Sequence, residues 1–159
     1  MIEEALAGLA TSPVAALLKS SRLVYPLVNA GHILSIGALF GSILALDIRL
    51  MGFFGAVALP PLARFLPLVA AAGLSGAVVT GFLLFMVQPI DYAANPAFLV
   101  KLGLVALGAL HAAFVHAGRR WRRMLDTGVA SAGLRASAAL SVAIWVGAIV
   151  AGRFIAFMV

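Results

Sequence analysis

Residues 23–46 read LVYPLVNAGHILSIGALFGSILAL, a stretch without a single Asp, Glu, Lys or Arg. A helix rises ~1.5 Å per residue, so this stretch can cross the ~30 Å hydrocarbon core of a bilayer. Inside lipid the backbone has no water to bond with, and only a helix pairs all its polar groups within one segment. Asp47 and Arg49 follow directly and mark the end of the stretch. The pattern therefore predicts a transmembrane helix.

Three more stretches along the chain have the same apolar character. The third begins after Asn95-Pro96, a capping residue followed by proline, which is typical of a helix start. Of the 159 residues 64% are hydrophobic and 10% charged, whereas soluble domains have about 25% charged residues. The sequence predicts one all-α domain, a membrane four-helix bundle. Its predicted spans are 23–46, 65–87, 97–118 and 136–157.

The first 22 residues do not resemble a cleavable signal peptide, because Glu3 and Glu4 stand where basic residues are expected. Ser12 followed by Pro13 is a typical N-cap and first helical position. We expect a short helix over residues 14–19, lying in the membrane interface.

The positive charges are distributed unevenly between the two sides of the predicted bundle. The side with more Lys and Arg normally faces the cytoplasm, which predicts a bacterial inner-membrane protein with both termini in the periplasm. One side carries Arg49, Arg64, Arg119, Arg120, Arg122, Arg123 and Arg135, and the other carries Lys19, Arg22, Lys101 and Arg153. Tyr25, Tyr92 and Trp121 lie near span ends, where interfacial aromatic residues are common.

Small residues recur at four-residue spacing in every span. Such stripes allow helix backbones to approach closely in lipid, so we expect a tight bundle with little room for a water-filled pore, which counts against a channel. The stripes are Gly37, Gly41 and Ala45; Gly73, Ala77 and Gly81; Ala109, Ala113 and Ala117; and Ala148 and Gly152.

Ionisable side chains inside a span are candidate functional residues. In this chain they are His32, His111, His116, Lys101 and Arg153. Histidine is a usual axial ligand of haem iron, and helix bundles often enclose such cofactors. Zinc or copper would need three or four ligands, and the chain has three histidines and no cysteine.

The depths of the histidines below the outer membrane face indicate which of them could share a haem. His32 lies ~14 Å and His111 ~20 Å down, while His116 lies ~27 Å down. His32 and His111 are therefore candidate ligands of haem iron, with His116 too deep. The alternative is that these histidines only hydrogen-bond one helix to another.

Three other residues complete the predicted haem site. Lys101 begins near the outer face and could be a ligand or could pair with a haem propionate, and Arg153 could pair with propionates there. Asn29 lies one turn before His32 and could fix the tautomer of its imidazole by a hydrogen bond.

The segments Ala30 to Gly52 (AGHILSIGALFGSILALDIRLMG) and Asn95 to Leu102 (NPAFLVKL), with Trp145 and Ala151-Gly152-Arg153, resemble a family of uncharacterised four-span bacterial membrane proteins. This likeness covers nearly the whole chain. It implies the same four-span fold, and that family has no assigned activity.

A shorter likeness is to the HemJ-type protoporphyrinogen oxidases, in which haem b lies between a first-helix histidine and a third-helix lysine. His32 matches that histidine, Lys101-Leu102 matches the lysine, and Arg119 to Arg123 with Trp121 match the end of the third helix. The chain is also similar to the CopD membrane domain, which is linked to copper handling. The first likeness implies a haem pocket formed by His32 and Lys101.

Three functions remain open from the sequence. The first is a b-type haem protein in electron transfer or porphyrin-linked redox chemistry, the second is copper handling, and the third is a cofactor-free scaffold or accessory subunit. The five methionines are scattered, which argues against copper. Expected partners are the lipid bilayer, haem, a quinone or redox protein, and a second copy of the chain, but not nucleic acid.

Overall fold

The computed structural model describes residues 1–158, which form eight α-helices and a final turn of 3-10 helix and contain no strand. The predicted all-α class is confirmed. The helices are α1 (Ile2–Ala10), α2 (Pro13–Ser20), α3 (Val24–Leu50), α4 (Leu59–Phe85), α5 (Pro89–Ala94), α6 (Pro96–Ala117), α7 (Arg119–Thr127) and α8 (Ala132–Phe154), followed by the 3-10 turn Ile155–Phe157.

Four of these helices, α3, α4, α6 and α8, are long and apolar enough to cross a membrane. Between 6% and 28% of their most apolar windows is buried inside the protein, so most of this apolar surface faces outward. Lipid is the solvent that suits such a surface. The chain is therefore a multi-pass membrane protein built as a helix bundle.

The helices alternate in direction, so each end of the bundle collects particular connections. We call the end with residues 20–25, 86–95 and 155–158 the terminal end. The opposite end, with residues 51–58 and 118–131, is the loop end. A buried apolar cluster at the loop end, which includes Leu50, Leu59 and Met124, joins α3 and α4 to α7 and α8.

Two of the long helices extend N-terminally beyond the predicted spans, because the residues before each span also form helical turns. Helix α4 starts at Leu59, and Pro60 falls in its first turn, where a missing N–H costs no helical hydrogen bond. Helix α8 starts at Ala132, and Ser131 caps it by accepting a hydrogen bond from the Leu134 N–H.

Three short helices, α1, α5 and α7, were not predicted. Helix α1 has Glu3 and Glu4 in its first turn, where acidic side chains favour a helix. Helix α7 ends at Gly128, whose left-handed φ of 70° suits a residue without a side chain. The predicted helix after Ser12 is confirmed as α2, with the Ser12 hydroxyl accepting from the Ala15 N–H.

The small-residue stripes differ in what they contact. A Cβ added at Gly73 would lie 2.6 Å from the Leu39 nitrogen and 2.8 Å from the Ser35 carbonyl oxygen, so α4 meets the backbone of α3 there. The prediction for the first span was wrong. A Cβ at Gly37 or Gly41 would meet nothing within 4 Å, because this face of α3 is turned away from the other helices.

The helices of the bundle pack closely in pairs. Helix α3 packs against α4 and α8, and α8 packs against α6. Among the described residues, α4 and α6 have few close backbone contacts with one another. Their side chains line cavities at both ends of the bundle.

Candidate functional site

A cavity of about 940 Å³ occupies the terminal half of the bundle, and we call it the terminal-end cavity. Four residues predicted for the haem site line it together: Asn29, His32, Lys101 and Arg153. They come from α3, α6 and α8, and α4 and α5 complete the wall. This volume lies at the upper end of the ~300–1,000 Å³ typical of small-molecule and cofactor sites.

The tautomer of His32 is fixed by its neighbour on α4. The Thr80 hydroxyl lies 2.6 Å from the Gly76 carbonyl oxygen, and since a carbonyl only accepts, the hydroxyl donates there. The same hydroxyl oxygen lies 3.0 Å from His32 Nδ1, and it must accept from an Nδ1–H. Nε2 therefore carries the lone pair in the neutral ring, as an imidazole that binds metal through Nε2 requires.

Gly81 makes the space for this imidazole. A Cβ at residue 81 would lie 3.0 Å from Cε1 of His32, so even a methyl group would crowd the ring. The packing between α3 and α4 thus holds the imidazole in one position at the cavity wall.

The predicted hydrogen bond from Asn29 to His32 is absent among residues 1–158, where Thr80 takes that role. Asn29 lines the same cavity as His32 and is exposed. A threonine in the middle of an apolar span was the signal in the sequence that could have identified Thr80.

Two cations line the same cavity from neighbouring helices. The Lys101 side chain lies along Gly152, whose added Cβ would be 3.8 Å from Nζ. The Arg153 guanidinium carbon lies 4.9 Å from the centre of the Phe157 ring. Within residues 1–158 neither cation forms a salt bridge, and one carboxylate, Asp91, lines the cavity with them.

The end of this cavity is held by Asn95 and by an aromatic cluster. Asn95 Oδ1 accepts from the Ala97 and Phe98 N–H groups, which caps α6, and its Nδ2 donates to the Ile155 carbonyl at 3.1 Å. The rings of Phe85, Tyr92 and Phe98 pack within 5.5–6.2 Å of one another. Burial raises the pKa of the Tyr92 phenol, which therefore stays protonated at neutral pH.

His111 does not lie in the terminal-end cavity. It lines a second cavity of about 240 Å³, the loop-end cavity, together with His116 and Asp47. Its Nε2 lies 2.9 Å from the Ser137 hydroxyl, so it links α6 to α8. Similar depth in the membrane did not bring His32 and His111 together, because His32 faces α4 whereas His111 faces α8.

Three apolar residues, Leu39, Leu74 and Trp145, line both cavities and lie between them. Trp121, which follows the end of α6, is buried in the wall of the loop-end cavity. Within residues 1–158 no three His, Cys, Asp or Glu side chains come close enough to hold a metal ion. Haem iron, unlike such a site, needs only one or two protein ligands.

No family model matches the chain, and no similar curated protein or solved structure was found.

Proposed function

We propose that the terminal-end cavity binds b-type haem and that the protein acts in electron transfer or porphyrin-linked redox chemistry. The observation that carries the proposal is the position of His32, whose Nδ1 is bonded to Thr80, in the wall of a large apolar cavity that Lys101 also lines. The resemblance to the HemJ-type oxidases names the same histidine and lysine. His32 and Lys101 are therefore the proposed pair of ligands.

The other residues of the cavity fit the chemistry of haem. Its wall is mainly aliphatic and aromatic, which suits the faces of a porphyrin. Lys101, if not a ligand, and Arg153 supply positive charge for propionate carboxylates. The iron would supply one-electron chemistry, and the chain would hold the ring and exclude water from its faces.

Lys101 and His111 are the two candidates for the second iron ligand beside His32, and they can be distinguished by the spectra of variants reconstituted with haem b. We expect Lys101→Ala to abolish the six-coordinate, low-spin spectrum, whereas His111→Ala should leave it unchanged because His111 lies in the other cavity. Absorption and magnetic circular dichroism spectra distinguish low-spin, six-coordinate haem from haem that has lost one ligand. Low-spin haem in the lysine variant and its loss in the histidine variant would overturn the proposed pair and support ligation by His32 and His111.

We further propose that the protein lies in the bacterial inner membrane with its terminal end toward the periplasm. The support is the excess of arginine at the loop end. A reporter active only in the periplasm should be active after Val159, which lies outside the described residues, and silent within 124–133. The reverse pattern would invert the orientation and place the haem near the cytoplasm.

Copper handling and a cofactor-free scaffold remain outcomes of the same binding experiments. Stoichiometric copper without haem would favour the first, and a stable protein that binds neither would favour the second. The bonds from His32 to Thr80 and from His111 to Ser137 are contacts that a scaffold would also use.

A further inference from the structure

The exposed surface of the loop end is strongly basic. Six arginines are exposed there, and Asp126 is the exposed carboxylate of the same end. Within residues 1–158 no arginine forms a salt bridge with a carboxylate. Arg49, the seventh arginine of this end, donates to the carbonyl oxygens of Val57 and Gly55. The six exposed arginines are Arg64, Arg119, Arg120, Arg122, Arg123 and Arg135. This surface therefore carries a net positive charge.

Helix α7 presents four of these arginines on its outer face. Trp121 and Met124 lie on the opposite face of this helix and are buried in the apolar cluster of the loop end. Because a helix repeats every 3.6 residues, burial of that face leaves the arginines facing outward. Only Gly118 separates α7 from α6, a span that ends at Ala117. The arginines of α7 therefore begin at the end of a span, at the depth of the lipid headgroups.

Two of the exposed arginines lie against the backbone of another segment. A Cβ added at Gly133, in the first turn of α8, would lie 2.7 Å from Nη1 of Arg120. A Cβ added at Gly52, which follows α3, would lie 3.7 Å from Nη1 of Arg135. A planar guanidinium that is already positioned loses less conformational entropy when it binds an anion. Arg120 and Arg135 are therefore the strongest candidates for binding an anionic group.

Two exposed aromatic side chains follow Gly52 directly. Phe53 is 61% exposed and Phe54 is 73% exposed. Phe54 also has a φ of 54°, in the left-handed region that bulky residues rarely adopt. Such a strained residue points to a functional role for its position. Exposed phenylalanines near the end of a span suit the boundary between lipid headgroups and acyl chains, and here they adjoin the guanidinium of Arg135.

The type of basic residue also indicates the ligand. All Lys and Arg residues of the loop end are arginines, because the two lysines of the chain, Lys19 and Lys101, lie toward the other end. Membrane orientation requires only positive charge, which either residue supplies. Arginine can in addition bind a phosphate group through two parallel hydrogen bonds. The choice of arginine throughout therefore favours a phosphate-bearing ligand.

We propose that the loop end binds anionic phospholipid. The arginines of α7 and Arg135 hold its phosphate group, and Phe53 and Phe54 enter the acyl-chain boundary beside it. The ligand is a lipid of the protein's own bilayer, because the arginines and the phenylalanines both lie at the ends of spans. The site is separate from the proposed haem site, and its test uses haem-free protein. Failure of either proposal therefore leaves the other standing.

The selectivity for charge is tested with two lipids that have the same acyl chains. Microscale thermophoresis of haem-free protein in detergent measures its affinity for dioleoyl phosphatidylglycerol, which is anionic, and for dioleoyl phosphatidylcholine, which is zwitterionic. We expect phosphatidylglycerol to bind more tightly. Added salt should weaken its binding, since salt screens exposed charges, and should leave the binding of phosphatidylcholine unchanged.

The role of the arginines is tested in variants whose fold is checked by circular dichroism. Arg120→Gln and Arg135→Gln should each weaken the binding of phosphatidylglycerol about fivefold, and the double variant about 25-fold. If the change at Arg120 prevents folding, Arg123→Gln takes its place. Arg22→Gln removes an exposed arginine at the terminal end and is the matched control, which should bind like the wild type.

The role of the phenylalanines is tested by the ratio of the two affinities. Phe53→Ser removes an apolar contact and no charge, so it should weaken the binding of phosphatidylglycerol and of phosphatidylcholine by the same factor. The arginine variants should instead lower the preference for phosphatidylglycerol over phosphatidylcholine.

Three results would overturn the proposal. The first is equal affinity of the wild type for the two lipids. The second is an affinity for phosphatidylglycerol that is unchanged in the folded double variant, or that falls as much in Arg22→Gln, which would indicate general attraction of charge. The third is full displacement of the lipid by an equal concentration of glycerol phosphate, which would indicate a site for a soluble anion.

Discussion

His32→Ala protein should lose most of the haem that the wild type binds while keeping its helical content. Removing a group that orients a metal-ligating histidine typically costs ~10–100-fold in affinity, so removing the ligand itself should cost more. The bundle should survive, because α3 packs against α4 along its backbone, at Gly73 for example, and does not depend on the hydrogen bond from His32 to Thr80. Haem titration followed at the Soret band, with circular dichroism on the same samples, measures both effects.

Two other variants show whether the loss of haem is caused by the loss of His32 as an iron ligand. Thr80→Val keeps the shape of the side chain but removes the acceptor for Nδ1–H, and should lower haem affinity ~10–100-fold. His116→Ala removes an imidazole from the other cavity and should leave haem content unchanged. Equal haem content in His32→Ala and wild-type protein would exclude His32 as a ligand.

Gly73→Leu should strongly destabilise the bundle. The contacts of an added Cβ at residue 73 are backbone atoms of α3, Leu39 nitrogen and Ser35 oxygen, which cannot move aside as a flexible side chain can. Overpacking in well-packed interiors costs ~1–3 kcal/mol and occasionally more. We expect the loss in the free energy of unfolding to lie at or above the upper end of this range. Thermal unfolding in detergent measures the loss.

Gly41→Leu is the matched control, since it makes the same change on a face of α3 where a Cβ meets nothing within 4 Å. Exposed substitutions usually stay within about 0.5 kcal/mol, so its melting temperature should match the wild type. If the melting temperature falls equally in both variants, α3 and α4 do not pack at Gly73 as described.

The sequence predicted the four spans because a run of about 20 apolar residues is a signal that needs no knowledge of the neighbouring helices. It could not tell which face of each helix is covered. Gly73 and Gly41 lie in similar stripes, yet only Gly73 meets another backbone. For the same reason, the similar depths of His111 and His32 suggested that both could bind one haem. His111 faces α8, however, so it lies away from His32.

The candidate site was predictable in part. His32, Lys101 and Arg153 stood out because ionisable residues are rare in spans, and they line one cavity. The sequence analysis did not identify Thr80, because hydroxyl side chains are common in membrane spans. The role of such a hydroxyl depends on which side chain it contacts, here His32. Asp47 ends the apolar run of the first span in the sequence, and only the packing of α3 shows that it is buried.

The most direct test of the central claim is the absorption spectrum of the purified wild-type protein after haem b has been supplied. The account predicts a Soret band from one haem per chain, shifted from that of free haem and typical of low-spin iron. If the protein is shown to be folded and still binds no haem, haem binding by this chain is contradicted. A cofactor-free bundle would then be the better description.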